Sequence, residues 1–131
     1  MPRKTDSGNP ADWLDFAREE LLACTVLAEK RLAFRVCRSK LGEALEKALK
    51  ADLIRRGWDL RRIHDLQSLA DDLEAYDADA VRSVRAAVDE LADSYTEDRY
   101  PGFDLDEEDW DLLISCVAVV NGYIAGLGNP Q

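Results

Sequence analysis

Apolar residues recur every three or four positions along most of the chain, the spacing of helices that bury one face. Trp13, Phe16, Ala17, Leu21, Cys24, Leu27 and Ala28 predict a first helix running to about residue 30. It opens at Asn9-Pro10, where Asn caps and Pro occupies the first turn. Phe34, Cys37, Leu41, Ala44, Leu45, Ala48 and Leu53 predict a second helix over about 33–56, closed by Gly57. A turn around Lys30 to Leu32 separates the two, although no Gly or Pro marks it. Ile63, Leu66, Leu69, Ala70 and Leu73 predict a short third helix, entered through the basic stretch Trp58 to Arg62. Asp77 is expected to cap a single fourth helix with Val81, Val84, Val88, Leu91, Ala92 and Tyr95 as its stripe. Thr96 to Asp104 contains Arg99-Tyr100-Pro101-Gly102 and reads as a loop.

A fifth helix is predicted over about 106–126. Its acidic first turn, Asp106 to Asp109, suits the positive end of the helix dipole. Its body is apolar on two faces, Trp110, Leu113, Ile114, Val117, Val120 and Ile124 on one and Leu112, Cys116, Val119 and Tyr123 on the other. Such a helix needs neighbours on both sides, either inside the bundle or across a second subunit.

A chain of 131 residues supports one core, and seven Gly and four Pro favour helices over a β-sandwich. The expected fold is all-α, a single-domain up-and-down bundle of about five helices over 10–127, preceded by a flexible leader at 1–9. No apolar run is read as approaching the roughly 18 to 20 residues of a membrane span, and Met1-Pro2-Arg3-Lys4 leads into polar residues. The expectation is a cytoplasmic protein with no membrane partner. Cys24, Cys37 and Cys116 form no CxxC pair and are expected to be reduced, buried thiols.

The net charge of −10 is unevenly spread. Residues 1–62 carry 14 basic and 10 acidic side chains, whereas residues 63–131 carry 3 and 17. Within 30–62, eleven basic groups face only four acidic ones, a band fit for an anion or a partner, or for the acidic half of the fold itself. The overall negative charge disfavours broad non-specific DNA binding, which draws affinity from phosphate neutralisation, while the local band can still hold a nucleotide or, as a disfavoured partner, a short RNA.

Neither GxGxxG nor GxxxxGK[ST] occurs, so the common phosphate-cradling turns are absent. The acidic run from Asp104 fails as a calcium loop, with Asp109 where Gly is needed and Ser115 where Glu is needed. His64, the sole histidine, excludes a multi-histidine metal site. It follows Arg61 and Arg62 and lies near Trp58, a grouping able to contact phosphate or to serve as a helix-terminal cap. Arg99 and Tyr100 could present a guanidinium and a phenol to an anion, or pin their loop to the bundle.

Three segments occur in a telling order: Glu46-Lys47-Ala48-Leu49-Lys50-Ala51, His64-Asp65-Leu66, and Tyr95 with Arg99-Tyr100-Pro101. Together they resemble the HEPN domain family, the higher eukaryotes and prokaryotes nucleotide-binding domain, over about residues 11–126. The resemblance implies a helical bundle, usually dimeric, often encoded beside a small nucleotidyltransferase. Where many members carry two glutamines, this chain has Gly42-Glu43. The ribonuclease members place four to six residues between an Arg and a His, but seven separate Arg56 from His64 here.

The resulting expectation is a non-catalytic homodimeric module that binds a nucleotide or polyphosphate, or docks a nucleotidyltransferase. Its candidate site is Lys47, Lys50, Trp58, Arg61, Arg62, His64, Arg99 and Tyr100. No metal or covalent cofactor is expected, and Mg²⁺ would arrive only with a nucleotide such as ATP. The alternatives are an endoribonuclease toxin of a toxin–antitoxin pair, using Arg56 and His64, or a purely structural dimerisation partner.

Overall fold

The computed structural model describes residues 7–61, 63–92 and 108–128. Six α-helices account for most of them: α1 (Pro10–Lys30), α2 (Phe34–Arg55), α3 (Leu66–Tyr76), α4 (Ala78–Arg82), α5 (Arg85–Leu91) and α6 (Trp110–Leu127). There is no strand among the described residues. The all-α reading therefore holds, with six described helices where about five were expected.

α1 starts as its sequence dictates, with Pro10 in the first turn and the Asn9 side chain accepting from Ala11 N–H at 3.0 Å. The α1–α2 joint is a true turn, built by two left-handed residues that are not glycine, Arg31 (φ 51°) and Ala33 (φ 53°). A β-carbon makes that conformation costly, so backbone bonds from Arg31 N–H to Ala28 and from Leu32 N–H to Leu27 hold it in place.

α2 is the central helix, with 13 of its 22 residues buried and with α1, α3, α5 and α6 packed around it. Its predicted stripe is buried, and burial extends around the helix to Leu49, Ala51, Lys50 and Asp52. The expected fourth helix is interrupted, giving α4 and α5 on either side of Ser83 and Val84. No Gly or Pro causes the break; β-branched Val81 and Val84 are weak helix formers, and the kink lets both bury with Val88. The expected third helix begins later than predicted, because Asp65 caps it by accepting from Gln67 N–H at 3.0 Å.

α6 lies on the outside, not at the centre. Leu113, Cys116, Val117, Val120, Tyr123 and Ile124 face the core, whereas Leu112 and Val119 remain exposed. By length and composition α6 could cross a membrane, which corrects the reading that no segment approaches a span. Its contacts are those of a bundle helix, including an edge-to-face pair of Trp110 with Phe34 at 5.1 Å. Arg31 reaches Asp111 at one end of α6 and Arg18 reaches the Gly128 carbonyl at the other, so α1 and α6 run antiparallel.

At the far end of α2, Asp52 is 1% exposed and takes three charge-assisted or neutral donors. Arg55 Nε and Arg56 Nε donate to its Oδ1 at 2.8 and 2.9 Å, and the Tyr123 hydroxyl donates to Oδ2 at 2.7 Å. Burial pushes the Asp52 carboxyl up, but the bonds from Arg55, Tyr123 and Arg56 outweigh it and hold the pKa below the usual range. Tyr123 shifts well upward, through burial and through the charge and hydrogen bond of Asp52, and stays the donor.

Two predictions follow the backbone and this carboxylate. Ala33→Gly removes the left-handed penalty, and its stability in urea should rise by about 1 kcal/mol; an unchanged or lower midpoint contradicts the strain. Tyr123→Phe should cost about 2 kcal/mol, the value of a bond to a buried charge. Because the folded Asp52 pKa is depressed, its contribution is complete above the ordinary carboxylate range near 4 and is lost as pH falls through the folded value. Losing the Tyr123 bond raises that folded value, so acid unfolding of the variant should begin at a higher pH than in the parent.

Candidate functional site

Glu46, Lys50 and His64 meet where α2 faces the segment that enters α3. Glu46 and Lys50 are one helical turn apart, which places them on the same side of α2. Lys50 is 2% exposed, its Nζ donating to Glu46 Oε2 at 2.9 Å and lying 5.1 Å from the centre of the Trp13 ring. The same carboxylate oxygen meets His64 Nδ1 at 2.9 Å. An ionised carboxylate only accepts, so Nδ1 carries the proton in this contact and Nε2 is left for other partners. The His64 side chain is 63% exposed, while that of Glu46 is 14% exposed. An imidazole open to solvent is thus oriented by a mostly buried carboxylate, itself neutralised by a buried ammonium.

The basic band divides into inward and outward groups. Lys47 pairs with Glu20 and covers the Phe16 ring at 5.7 Å. Arg38 is buried and donates to the Glu90 carbonyl at 3.1 Å. Arg55 and Arg56 converge on Asp52, and Arg56 also reaches Asp77 at 3.3 Å. Much of the positive excess of 30–62 is therefore engaged within the bundle, mostly by Glu20, Glu46 and Asp52 of the same half of the chain, with Asp77 and Asp111 drawn from the acidic half.

Of the expected site residues, Lys50 and Trp58 face inward. Trp58 is 6% exposed and donates from Nε1 to Asp72 at 3.1 Å. Lys47 is committed to Glu20, so charge reversal at Lys47 and Lys50 would perturb packing before it tested a ligand. Arg61 and His64 remain at the surface, with His64 two residues ahead of α3. Arg62, Arg99 and Tyr100 lie outside the described residues, as does the whole of the expected 96–104 loop.

Glu46 was quoted above only within the HEPN-like segment, yet it joins Lys50 to His64. Its i,i+4 spacing from Lys50 was the available signal. Asp52 was counted only as an acid within the basic band, and Tyr123 only as an apolar stripe position.

Glu20 has its own strain. Burial pushes its carboxyl up against the lowering effect of Lys47, and its Oε2 is buried without a hydrogen-bond partner among the described residues. The thiols are placed for packing. Cys24 Sγ faces the Cys37 carbonyl and Cys37 Sγ faces the Cys24 carbonyl, both at 3.5 Å across α1 and α2. Their shared hydrogen bond raises the Cys24 pKa, as burial also does, and lowers that of Cys37 against burial. Burial raises Cys116 too. All three are unpaired and buried, and the one imidazole is held by Glu46. No cluster of metal-ligating side chains occurs among the described residues.

The architecture defines a helical bundle organised around one enveloped helix, with a carboxylate-held imidazole at its edge. A family model, HEPN domain, matches residues 11–125, and the chain belongs to the HEPN domain family. No curated protein and no solved structure matches the chain.

The buried ion pair yields a direct test. Lys50→Met keeps an unbranched apolar stem but strands Glu46, and should cost about 3 kcal/mol in urea. Adding Glu46→Gln should return part of that loss. A Lys50→Met variant as stable as the parent would remove the pair from the structural account.

Proposed function

We propose that this HEPN domain is a non-catalytic binding module, acting as a homodimer in the cytoplasm and taking a nucleotide or polyphosphate at the corner between α2 and α3. The observation that carries the reading is the exposed His64 imidazole, whose Nδ1 is held by Glu46 and whose Nε2 is left to meet a ligand. Once protonated, that nitrogen donates a charge-assisted bond to a phosphate oxygen, and exposed Arg61 adds a second cation three residues earlier. The sequence adds Arg62, Arg99 and Tyr100 as candidate ligand residues that lie outside the described residues. The same surface suits docking of a small nucleotidyltransferase, the second form of the reading.

The non-catalytic assignment is supported by Arg56, the arginine nearest in sequence to the ribonuclease spacing. Its guanidinium is bonded to Asp52 and Asp77 and is thus committed to the fold.

Calorimetric titration with ATP, with and without Mg²⁺, should give saturable binding. His64→Ala and Arg61→Glu should each weaken it by about tenfold, the worth of one charge-assisted bond. Silence at millimolar nucleotide in the parent would discard the ligand and leave partner docking. RNA cleavage that disappears in His64→Ala would instead establish the endoribonuclease.

A further inference from the structure

Cys24 and Cys37 are both 0% exposed and face one another where α1 packs on α2. Each Sγ lies 3.5 Å from the other residue's carbonyl oxygen, a reciprocal arrangement that aims both side chains across the helix–helix contact. The two thiols are also hydrogen-bonded to each other. Cys116 is placed differently, on α6, where burial and the charges of Glu90 and Arg38 set its surroundings. Two of the three cysteines are thus held as a pair and the third stands apart.

We propose that Cys24 and Cys37 form a redox pair that closes reversibly into a disulfide and clamps α1 to α2, with a low-molecular-weight disulfide as the oxidant. This inference is independent of the ligand reading above. The step balances as thiol–disulfide exchange. The Cys37 thiolate attacks one sulfur of the oxidant and displaces the other, leaving a mixed disulfide on Cys37. The Cys24 thiolate then attacks the Cys37 sulfur and displaces the second small thiol. Two protein thiols lose two electrons, the oxidant is reduced to two thiols, and the protons of Cys37 and Cys24 end on those products.

The local backbone explains how a buried pair is reached. Cys37 lies in the first turn of α2, whose N-cap Ala33 makes no side-chain bond to the helix. The turn before it carries two left-handed residues with a β-carbon, Arg31 and Ala33. This end of the hairpin therefore opens at lower cost than the enclosed body of α2, and Cys37 is the sulfur it uncovers. The start of a helix favours a thiolate, and the bond from Cys24 acts on Cys37 in the same sense. Cys24, set deeper on α1, is the resolving sulfur. The bridge joins residues only 13 positions apart, so it restrains the unfolded chain through a short loop while tying helices that already pack together. In the cytoplasm proposed above, a bond of this kind forms when the thiol–disulfide balance shifts and is otherwise open.

The full chain equilibrated in buffers of reduced and oxidised glutathione tests this. Peptide mapping by mass spectrometry without reductant is expected to find Cys24 joined to Cys37, two hydrogen atoms lighter than the reduced peptides, with Cys116 free. Dithiothreitol should reverse the bond, and the oxidised chain should unfold at a higher urea concentration than the reduced one. Cys24→Ser should stop at a glutathione adduct on Cys37, and Cys116→Ser should oxidise as the parent does. Three free thiols in the most oxidising buffer, or a bond that uses Cys116, overturns the pair; that result comes from the parent chain and needs no variant to fold. A bond that forms only in urea, or an oxidised chain with a lower unfolding midpoint, overturns the clamp, because the native packing then excludes the bridge. A folded Cys24→Ser chain without an adduct on Cys37 overturns entry through the first turn of α2.

Discussion

The buried carboxylate of Asp52 ties together parts of the bundle that the chain itself keeps apart. Its three donors come from the last turn of α2 and, 71 residues away, from α6. Through Arg56 it also reaches Asp77, which caps α4 by accepting from Asp79 and Ala80 N–H groups. A carboxylate in an apolar interior is costly unless its oxygens are satisfied. The same requirement that keeps Asp52 supplied with donors therefore fixes where α2 ends and where α6 rests.

A parallel arrangement operates at the other charged cluster. Lys50 and Glu46 compensate each other inside the bundle, with Trp13 of α1 covering the ammonium. The pair shares one carboxylate oxygen with His64, so the packing of α1 on α2 is linked to the position of a surface imidazole. Buried and solvent-facing positions are here divided among three side chains of a single cluster.

Much of the fold was legible in the chain. Asn9-Pro10 opens α1, and the apolar stripes of α1 and α2 lie where their periodicity put them. The interruption at Ser83-Val84 was not legible, because the valines that break the helix also satisfy its periodic pattern. The site was harder to read. A lysine in a helical segment reads as solvated, and nothing local to Lys50 announces that Trp13, 37 positions earlier, covers it. Trp58 is likewise turned inward by Asp72, a carboxylate that sequence spacing does not single out. The HEPN family was visible in the order of three short segments, and the family match over 11–125 bears it out.

The α1–α2 turn and the placement of α6 together set an order of assembly. α1 and α2 are neighbours in sequence and pack along their lengths, so their docking closes only a short loop. α6 must return from the far end of the chain to meet Asp52 with Tyr123, a closure that carries a larger entropic cost. The hairpin is thus the early, locally encoded part of the fold. The outer wall depends on contacts that reach back across the chain to α2.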